Sequence, residues 1–445
     1  MKKNSIQLSD HFNFGRLIRF TFPSILMLVF TSVYSVVDGF FVSNFVGKTP
    51  FAAVNFIMPL LMIFGCVGFM FGTGGGALIA KTMGEGDSKK ANELFSLIVY
   101  AAAVCGIFIA VFGFIFIRPI AMLMGAAGEL LDNSVIYGRF LLAAIPFYIL
   151  QYEFQCLFAT AEKPKLGLYI TIAAGVANMV LDALFVAVFQ WGLIGAAAAT
   201  AISQFVGGVV PLIYFGRKNS SYLRLVKCKI DVPALLKACA NGSSELMSNI
   251  SMSLVGMLFN IQLIKYAGEN GIAAYGVLMY VSMIFQAIFI GYSVGGAPII
   301  GYHYGAQNYE ELKNLRRKST ILIGIFSIVM FTAGQILARP FALIFVSYDV
   351  ELLEMTAYAF RIFSFSFLMS GFAIFGSSFF TALNDGLTSA LISFFRTLVF
   401  QCTAVLTFPL IWGLDGIWWS VVAAEVMAVI LTLLFLLGKR KKYHY

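Results

Sequence analysis

Trp191-Gly192-Leu193-Ile194-Gly195 returns 221 residues later as Trp412-Gly413-Leu414-Asp415-Gly416. The same offset carries Gly47-Lys48-Thr49-Pro50-Phe51-Ala52-Ala53 onto Gly268-Glu269-Asn270-Gly271-Ile272-Ala273-Ala274. It also carries Gly74-Gly75-Gly76 with Gly84 onto Gly295-Gly296-Ala297 with Gly305. Three blocks at one offset in a chain of 445 residues mark a duplication of nearly its whole length. The acids in apolar sequence do not follow the repeat: the first copy is read as keeping a buried acidic cluster that the second has lost.

Hydrophobic residues make up 60% of the chain and charged residues 11%, with a mean hydropathy of +0.89. Soluble domains average about half apolar and a quarter charged, so the chain is read as an integral membrane protein. Apolar runs long enough to cross a bilayer begin near residues 17, 51, 92, 134, 166, 192, 238, 272, 319, 353, 387 and 413. Twelve spans, six per copy, predict an all-α membrane protein of two pseudo-symmetric six-helix lobes around a central cavity. An even number of spans per copy makes the repeats parallel rather than inverted. The expected division is lobe one at 1–216, a polar linker at 217–237 and lobe two at 238–445.

The net charge of +9 follows topology rather than a nucleic-acid surface. Most of the 30 lysines and arginines fall on alternate connections: Lys2, Lys3, Arg16 and Arg19 in the tail, Lys81, Lys89 and Lys90 after span 2, Lys163 and Lys165 after span 4. The linker, the connection after span 8 (Lys313, Arg316, Arg317, Lys318) and the C-terminus (Lys439 to Lys442) continue the bias. Lys48, Arg118, Lys265 and Arg339 remain for the other side. By the positive-inside rule both termini are expected in the cytoplasm. The six cysteines show no paired spacing, so neither a disulfide framework nor a zinc site is expected. Gly72-Thr73-Gly74-Gly75-Gly76 lacks the Lys-Ser/Thr of a phosphate loop and lies inside a span, where close helix approach accounts for it. No nucleophile–base pair or nucleotide-binding pattern points to an enzyme, and no cofactor is expected.

An ionisable group inside a span costs about 2.5–3.5 kcal/mol on insertion scales and reads as functional by default. Asp38 in span 1, Asn178 and Asp182 one turn apart in span 5, and Thr200 in span 6, with Ala196 a turn earlier, fall at similar depth. Their images in the second copy are Phe259, Val399, Thr403 and Val421, so the scaffold does not need these polar groups in order to fold. They are hard-oxygen donors for Na+ or shared protons, or else an interhelical hydrogen-bond network. Glu245, early in span 7, reads as a proton or cationic-substrate contact facing the cavity, or as a snorkelling cap. Glu153 in span 4 reads as an attractor for a cationic substrate or as a partner of Arg396 or a tyrosine. Arg396 has no partner evident in sequence and reads as one side of a buried salt bridge, and Glu425 reads as structural or lumen-facing.

These features together resemble the multidrug and toxic compound extrusion (MATE) family. The likeness rests on Phe22-Pro23, Val37-Asp38-Gly39, Gly84-Glu85-Gly86-Asp87 with its image Gly305-Ala306-Gln307-Asn308, Glu162-Lys163-Pro164-Lys165, Asn178-Met179-Val180-Leu181-Asp182 and Gly192-Leu193-Ile194-Gly195-Ala196. It implies export of cationic, amphipathic organic compounds by antiport with Na+ or H+, in the bacterial cytoplasmic membrane, through a cavity that alternates between faces. It implies a cation site at Asp38, Asn178, Asp182 and Thr200 with the backbone carbonyl of Ala196, and it matches Glu245 to an acidic position of some branches. The acid that those branches carry late in lobe two has no equivalent here, since Asp385 lies at a loop and Asp415 at the outer edge. A flippase for lipid-linked oligosaccharide or cell-wall precursors is the rival transporter. Its pyrophosphate cargo calls for more arginine and lysine than the spans hold. The expected partners are small organic cations and the bilayer, without nucleic acid, and a complete 6+6 unit is expected to be a monomer.

Overall fold

Twelve membrane spans follow one another in the computed structural model, which describes residues 6–347 and 349–445. Lys2 and Lys3 of the basic tail lie outside the described residues. Spans 1 to 4 are Phe14–Phe45, Lys48–Gly84, Ser88–Leu123 and Gly128–Thr160. Span 5 runs Pro164–Asp182 and continues as a π-helical segment, Ala183–Val188; span 6 is Gly192–Gly216. Spans 7 and 8 follow each other without an intervening loop over Val232–Gly305, 74 residues. At 1.5 Å per residue a straight helix of that length would be about 110 Å long, several times a bilayer core. Gly268, at φ 61° and ψ −147°, breaks it into two spans. Span 9 is Tyr309–Val346, and span 10 is Val350–Ser364 with Phe367–Ala382, bent by 49°. Span 11 is Gly386–Phe394, a π-helical segment Phe395–Val399 and Phe400–Thr407; span 12 is the part of Pro409–Gly438 that follows a break at Gly413, at φ 57° and ψ −133°.

The quoted glycines explain themselves in the backbone. Gly192 and its image Gly413 have φ of 59° and 57°, and Gly47 and Gly268 have 110° and 61°. These values are open to glycine and strained for most other residues, so each six-helix copy turns its corners on the face away from the termini with the same chemistry. On the face that carries both termini, short polar side chains start the helices instead. Asn13, Asp87, Asp231, Asn308 and Asp385 each accept a backbone N–H three residues on, at 2.8–3.3 Å, supplying one of the bonds that a helix start leaves open. Span 7 therefore starts at Val232, so only 217–231 of the expected linker lies outside helices. That segment is pinned to span 3: Arg224 N donates to Asn92 Oδ1 at 2.6 Å and Val226 N to Ser96 Oγ at 2.8 Å.

Apolar residues exposed at helical spacing mark the lipid side, as with Val104, Phe108, Val111 and Ile115 of span 3. The buried residues form three cores. One joins both lobes on the face of the termini, from Leu8 and Phe12 through Phe154 and Phe215 to Phe289, Phe379 and Tyr445. Toward the other face each lobe has its own core, around Val42, Ile57 and Tyr137 in one and Phe259, Phe360 and Trp418 in the other. The lobes thus meet on one side of the membrane and part on the other.

The meeting is made by glycine. A β-carbon on Gly84 would lie 2.0 Å from the Tyr302 carbonyl oxygen, and one on Gly305 would lie 2.0 Å from that of Lys81. Residues 81 and 84 are carried by the 221-residue offset onto 302 and 305, so this is a single contact made twice about the pseudo-twofold axis. Toward the opposite face Gly39 and Gly256 meet nothing within 4 Å.

The same closed side carries a strap. Leu8 N donates to Glu162 Oε1 of lobe one at 2.7 Å, and Phe12 N to Glu311 Oε1 of lobe two at 2.9 Å. Leu8 and Phe12 are both fully buried. Lys318 Nζ donates to the Phe12 carbonyl at 2.6 Å.

Candidate functional site

In lobe one, four helices bring their polar groups to one place. Asp38 comes from span 1, Asn178 and Asp182 from span 5, Thr200 from span 6, and Tyr137 from span 4. Asp38 has Asp182, Thr200 and Asn178 as its nearest polar neighbours, and Tyr137 has Thr200, Asp38 and Asp182. Asp38 is 8% exposed, Asn178 1%, and Asp182 and Tyr137 are fully buried. Asp38 Oδ1, both Asp182 oxygens, both amide atoms of Asn178 and the Tyr137 hydroxyl have no hydrogen-bond partner among the described residues. Native interiors seldom leave even one such group unpaired, and here six atoms are left together. The Ala196 carbonyl, by contrast, accepts the Thr200 hydroxyl at 3.1 Å. Immediately after Asp182 the helix loosens into its π segment, where Phe189 N reaches the Leu184 carbonyl at 2.8 Å; such segments are frequent at functional sites. Two carboxylates with amide and hydroxyl oxygens, enclosed in apolar packing, can hold a small monovalent cation or exchange protons. Among the described residues no group of three or more His, Cys, Asp or Glu gathers to hold a metal.

The second site is a cavity between the lobes with about 990 Å³ of empty space, its mouth included. Lobe one contributes spans 2 and 4, through Gly72, Gly76 and Thr160 among others; lobe two contributes spans 7, 8, 10 and 11. Glu245 and Arg396 both line it. Arg396 Nε donates to Glu425 Oε2 at 2.9 Å and to Oε1 at 3.1 Å, and Nη2 donates to Oε1 at 2.9 Å. Lobe two therefore has charges of its own. Glu245, Arg396 and Glu425 are the images of Ser24, Gly175 and Gln204, so each lobe carries its charged cluster where the other is neutral. Lobe two thus holds a salt bridge and a cavity-lining acid, while the images of Asp38 and Asp182 in it are Phe259 and Thr403.

Glu153 pairs with neither Arg396 nor a tyrosine and does not line the cavity. It stands one turn behind the lining residue Cys156, fully buried, with both oxygens unpartnered among the described residues. Its α-carbon packs against Gly72, so the span 2–span 4 contact seals it in. Asp385 caps span 11 and accepts Lys439 Nζ at 2.6 Å and Tyr443 Oη at 2.8 Å, a structural tie for the C-terminus.

The MatE family profile matches residues 23–184 and 246–405, one match in each lobe, ending 221 residues apart. The chain belongs to the MatE family. Among relatives of this MatE chain, the multidrug export protein MepA of Staphylococcus haemolyticus is 23% identical over 431 residues, covering 96% of this chain and 94% of that one. MepA of Staphylococcus aureus strain MRSA252 is 23% identical over 424 residues, covering 95% and 93%. Solved structures share the fold over the whole chain. One described as the outward-facing conformation of a multidrug resistance MATE family transporter of the MOP superfamily superimposes with a TM-score of 0.93 at 22% identity, covering 100% of this chain and 99% of that one. A MATE structure in the bent conformation superimposes at 0.88 with 21% identity, covering 100% of both chains. The MatE assignment agrees with the twelve-span, two-lobe architecture.

Proposed function

We propose that this MatE protein exports cationic, amphipathic organic compounds by antiport, with Na+ or H+ taken up at Asp38 and Asp182. The observation that carries the reading is the cluster of six unpartnered polar atoms around two carboxylates in lobe one. An ion or proton site leaves such atoms for its ligand, and these lie side by side on four helices. Asn178, Thr200 and the Tyr137 hydroxyl complete the donor set, and the Ala196 carbonyl has a second lone pair beyond the one that Thr200 uses.

Orientation follows the basic residues: the closed face with both termini is cytoplasmic, in a bacterial inner membrane, and the lobes part toward the outside. In this state the lobe-one site takes its cation from the exterior. Each net positive charge moving inward gains about 2.3 kcal/mol per 100 mV from the membrane potential. Charge on Asp38 and Asp182 competes with charge on the cargo, which makes the two movements an exchange. Lobe one, to residue 216, and lobe two, from the start of span 7 at Val232, work together as a monomer, without enzymatic chemistry. An anionic pyrophosphate cargo is disfavoured by a cavity whose one lining arginine is already paired with Glu425.

The test is efflux of a fluorescent cationic dye from proteoliposomes, with Na+ and H+ gradients imposed separately, in wild type, Asp38→Asn and Asp182→Asn. Flux driven by one gradient and lost in either variant identifies the coupling ion and its site. Full export by a correctly inserted Asp38→Asn would remove this carboxylate from the mechanism.

A further inference from the structure

The cavity holds an arrangement that ion coupling in lobe one does not use. Arg396 spends Nε and one edge of Nη2 on Glu425, and that pair is buried, with side chains 14% and 5% exposed. Three contacts to one carboxylate fix the plane of the guanidinium. The Nη1 donors make no hydrogen bond among the described residues, and Arg396 lines the cavity. Glu245, on span 7, also lines it and makes no ion pair with Arg396 among the described residues. Thr160 Oγ1 and Ser293 Oγ, in the same wall, are buried polar atoms without a partner among the described residues. The free Nη1 edge of Arg396 is thus the donor that this wall keeps for a ligand, beside two hydroxyls, Thr160 and Ser293, that have spent no bond.

The ionised triad sums to one negative charge: Glu245 is uncompensated, and Glu425 cancels Arg396. We propose that Arg396, locked by Glu425, is the charge filter of this cavity. The site takes one cationic group against Glu245 and, because Arg396 cancels Glu425, offers no second negative charge to another cationic centre. Specificity of this kind comes from a repulsive element as much as from an attractive one. The inference rests on the export reading above and deepens it by fixing the charge class of the cargo. Glu425 touches no cargo and is a positioning residue.

The experiment compares two dyes with one aromatic core, ethidium with one positive charge and propidium with two, in proteoliposomes. Wild type is expected to export ethidium at least about tenfold faster than propidium. Arg396→Gln leaves two uncompensated carboxylates and should bring the two rates within about threefold. The paired Arg396→Gln/Glu425→Gln variant restores a net charge of minus one and should restore the discrimination, an outcome that loss of packing alone would not give. Gln286→Glu adds a carboxylate to the wall with the ion pair intact; it should relax discrimination as Arg396→Gln does, and it serves where that variant misfolds. Equal wild-type export of both dyes, or an unchanged ratio in folded Arg396→Gln and Gln286→Glu, would overturn the filter while leaving export standing. Export of neither dye by wild type under any gradient would overturn the export reading and the filter with it.

Discussion

His11 Nδ1 lies 2.6 Å from Glu311 Oε2, joining residues 300 apart and tying the chain before span 1 to the first turn of span 9. Glu311 holds the Phe12 N–H with its other oxygen, so one carboxylate clamps the strap from lobe one onto lobe two. Such charge-assisted bonds are worth about 1.5–3 kcal/mol each where solvent is excluded, less at the exposed His11. Glu311→Ala should populate the form open on the side of the termini. The readout is impermeant labelling of Ala80→Cys, a fully buried position, in a background lacking the native cysteines. Labelling from the closed side should rise at least about fivefold; an unchanged rate would mean that the strap follows closure without holding it.

The opposite end of the chain is held through Asp385. Burial pushes its carboxyl up, but Lys439, Tyr443 and Thr388 together outweigh that and hold it below the usual carboxylate range. A carboxylate with a lowered folded pKa stabilises fully above its unfolded value, about 4, and the contribution fades as pH falls through the folded value. Asp385→Asn should therefore lower the melting temperature at pH 7. The gap to wild type should persist down to about pH 5 and close in stronger acid. A gap that widens on acidification would contradict the assignment.

Alanine normally replaces glycine in a helix with a gain of about 0.5–1 kcal/mol. At Gly84 and Gly305 the sign should reverse, because the new carbon would sit on a carbonyl oxygen of the facing lobe. Overpacking of this kind costs about 1–3 kcal/mol, and it is borne by the closed state. Gly296→Ala, with nothing within 4 Å, is the control and should export normally. If Gly84→Ala and Gly296→Ala export equally well, the seam is softer than its geometry.

Tyr137→Phe removes a hydroxyl that has no partner among the described residues. A purely structural hydroxyl in that condition would be lost without harm. A ligand of the coupling ion would not: gradient-driven export should fall about tenfold, the equivalent of about 1.4 kcal/mol, with thermal stability unchanged or raised.

Glu153→Leu tests the buried acid behind the wall. Removing an unpaired carboxyl from apolar packing should raise the melting temperature and leave dye export within about twofold of wild type. A tenfold loss of export would return Glu153 to the cargo path.

The repeat was legible because it is written in glycines whose φ or close approach excludes other residues; Gly192, Gly413, Gly84 and Gly305 are each forced. Asp38, Asn178, Asp182 and Thr200 stood out because polar groups in apolar spans are costly. Tyr137 gave no such signal: a tyrosine is amphipathic, it is one of 19, and its image in lobe two is also a tyrosine, Tyr358. The Arg396–Glu425 pair was hidden for another reason. Its members lie 29 residues apart on different helices, and only the packing of span 12 on span 11 brings them together. The spans begin earlier than their apolar runs, at Tyr309 rather than near 319 for span 9, because charged first turns stay helical beyond the hydrocarbon.

The doubled contact of Gly84 with Tyr302 and of Gly305 with Lys81 has the geometry of a homodimer interface enclosed in one polypeptide. A six-helix ancestor bearing that contact could have paired with a copy of itself and closed in the same manner. Joining the copies removed the requirement that both carry the same charges. The two halves now carry their charged groups at different positions of the repeat, while the doubled glycine contact still holds them face to face.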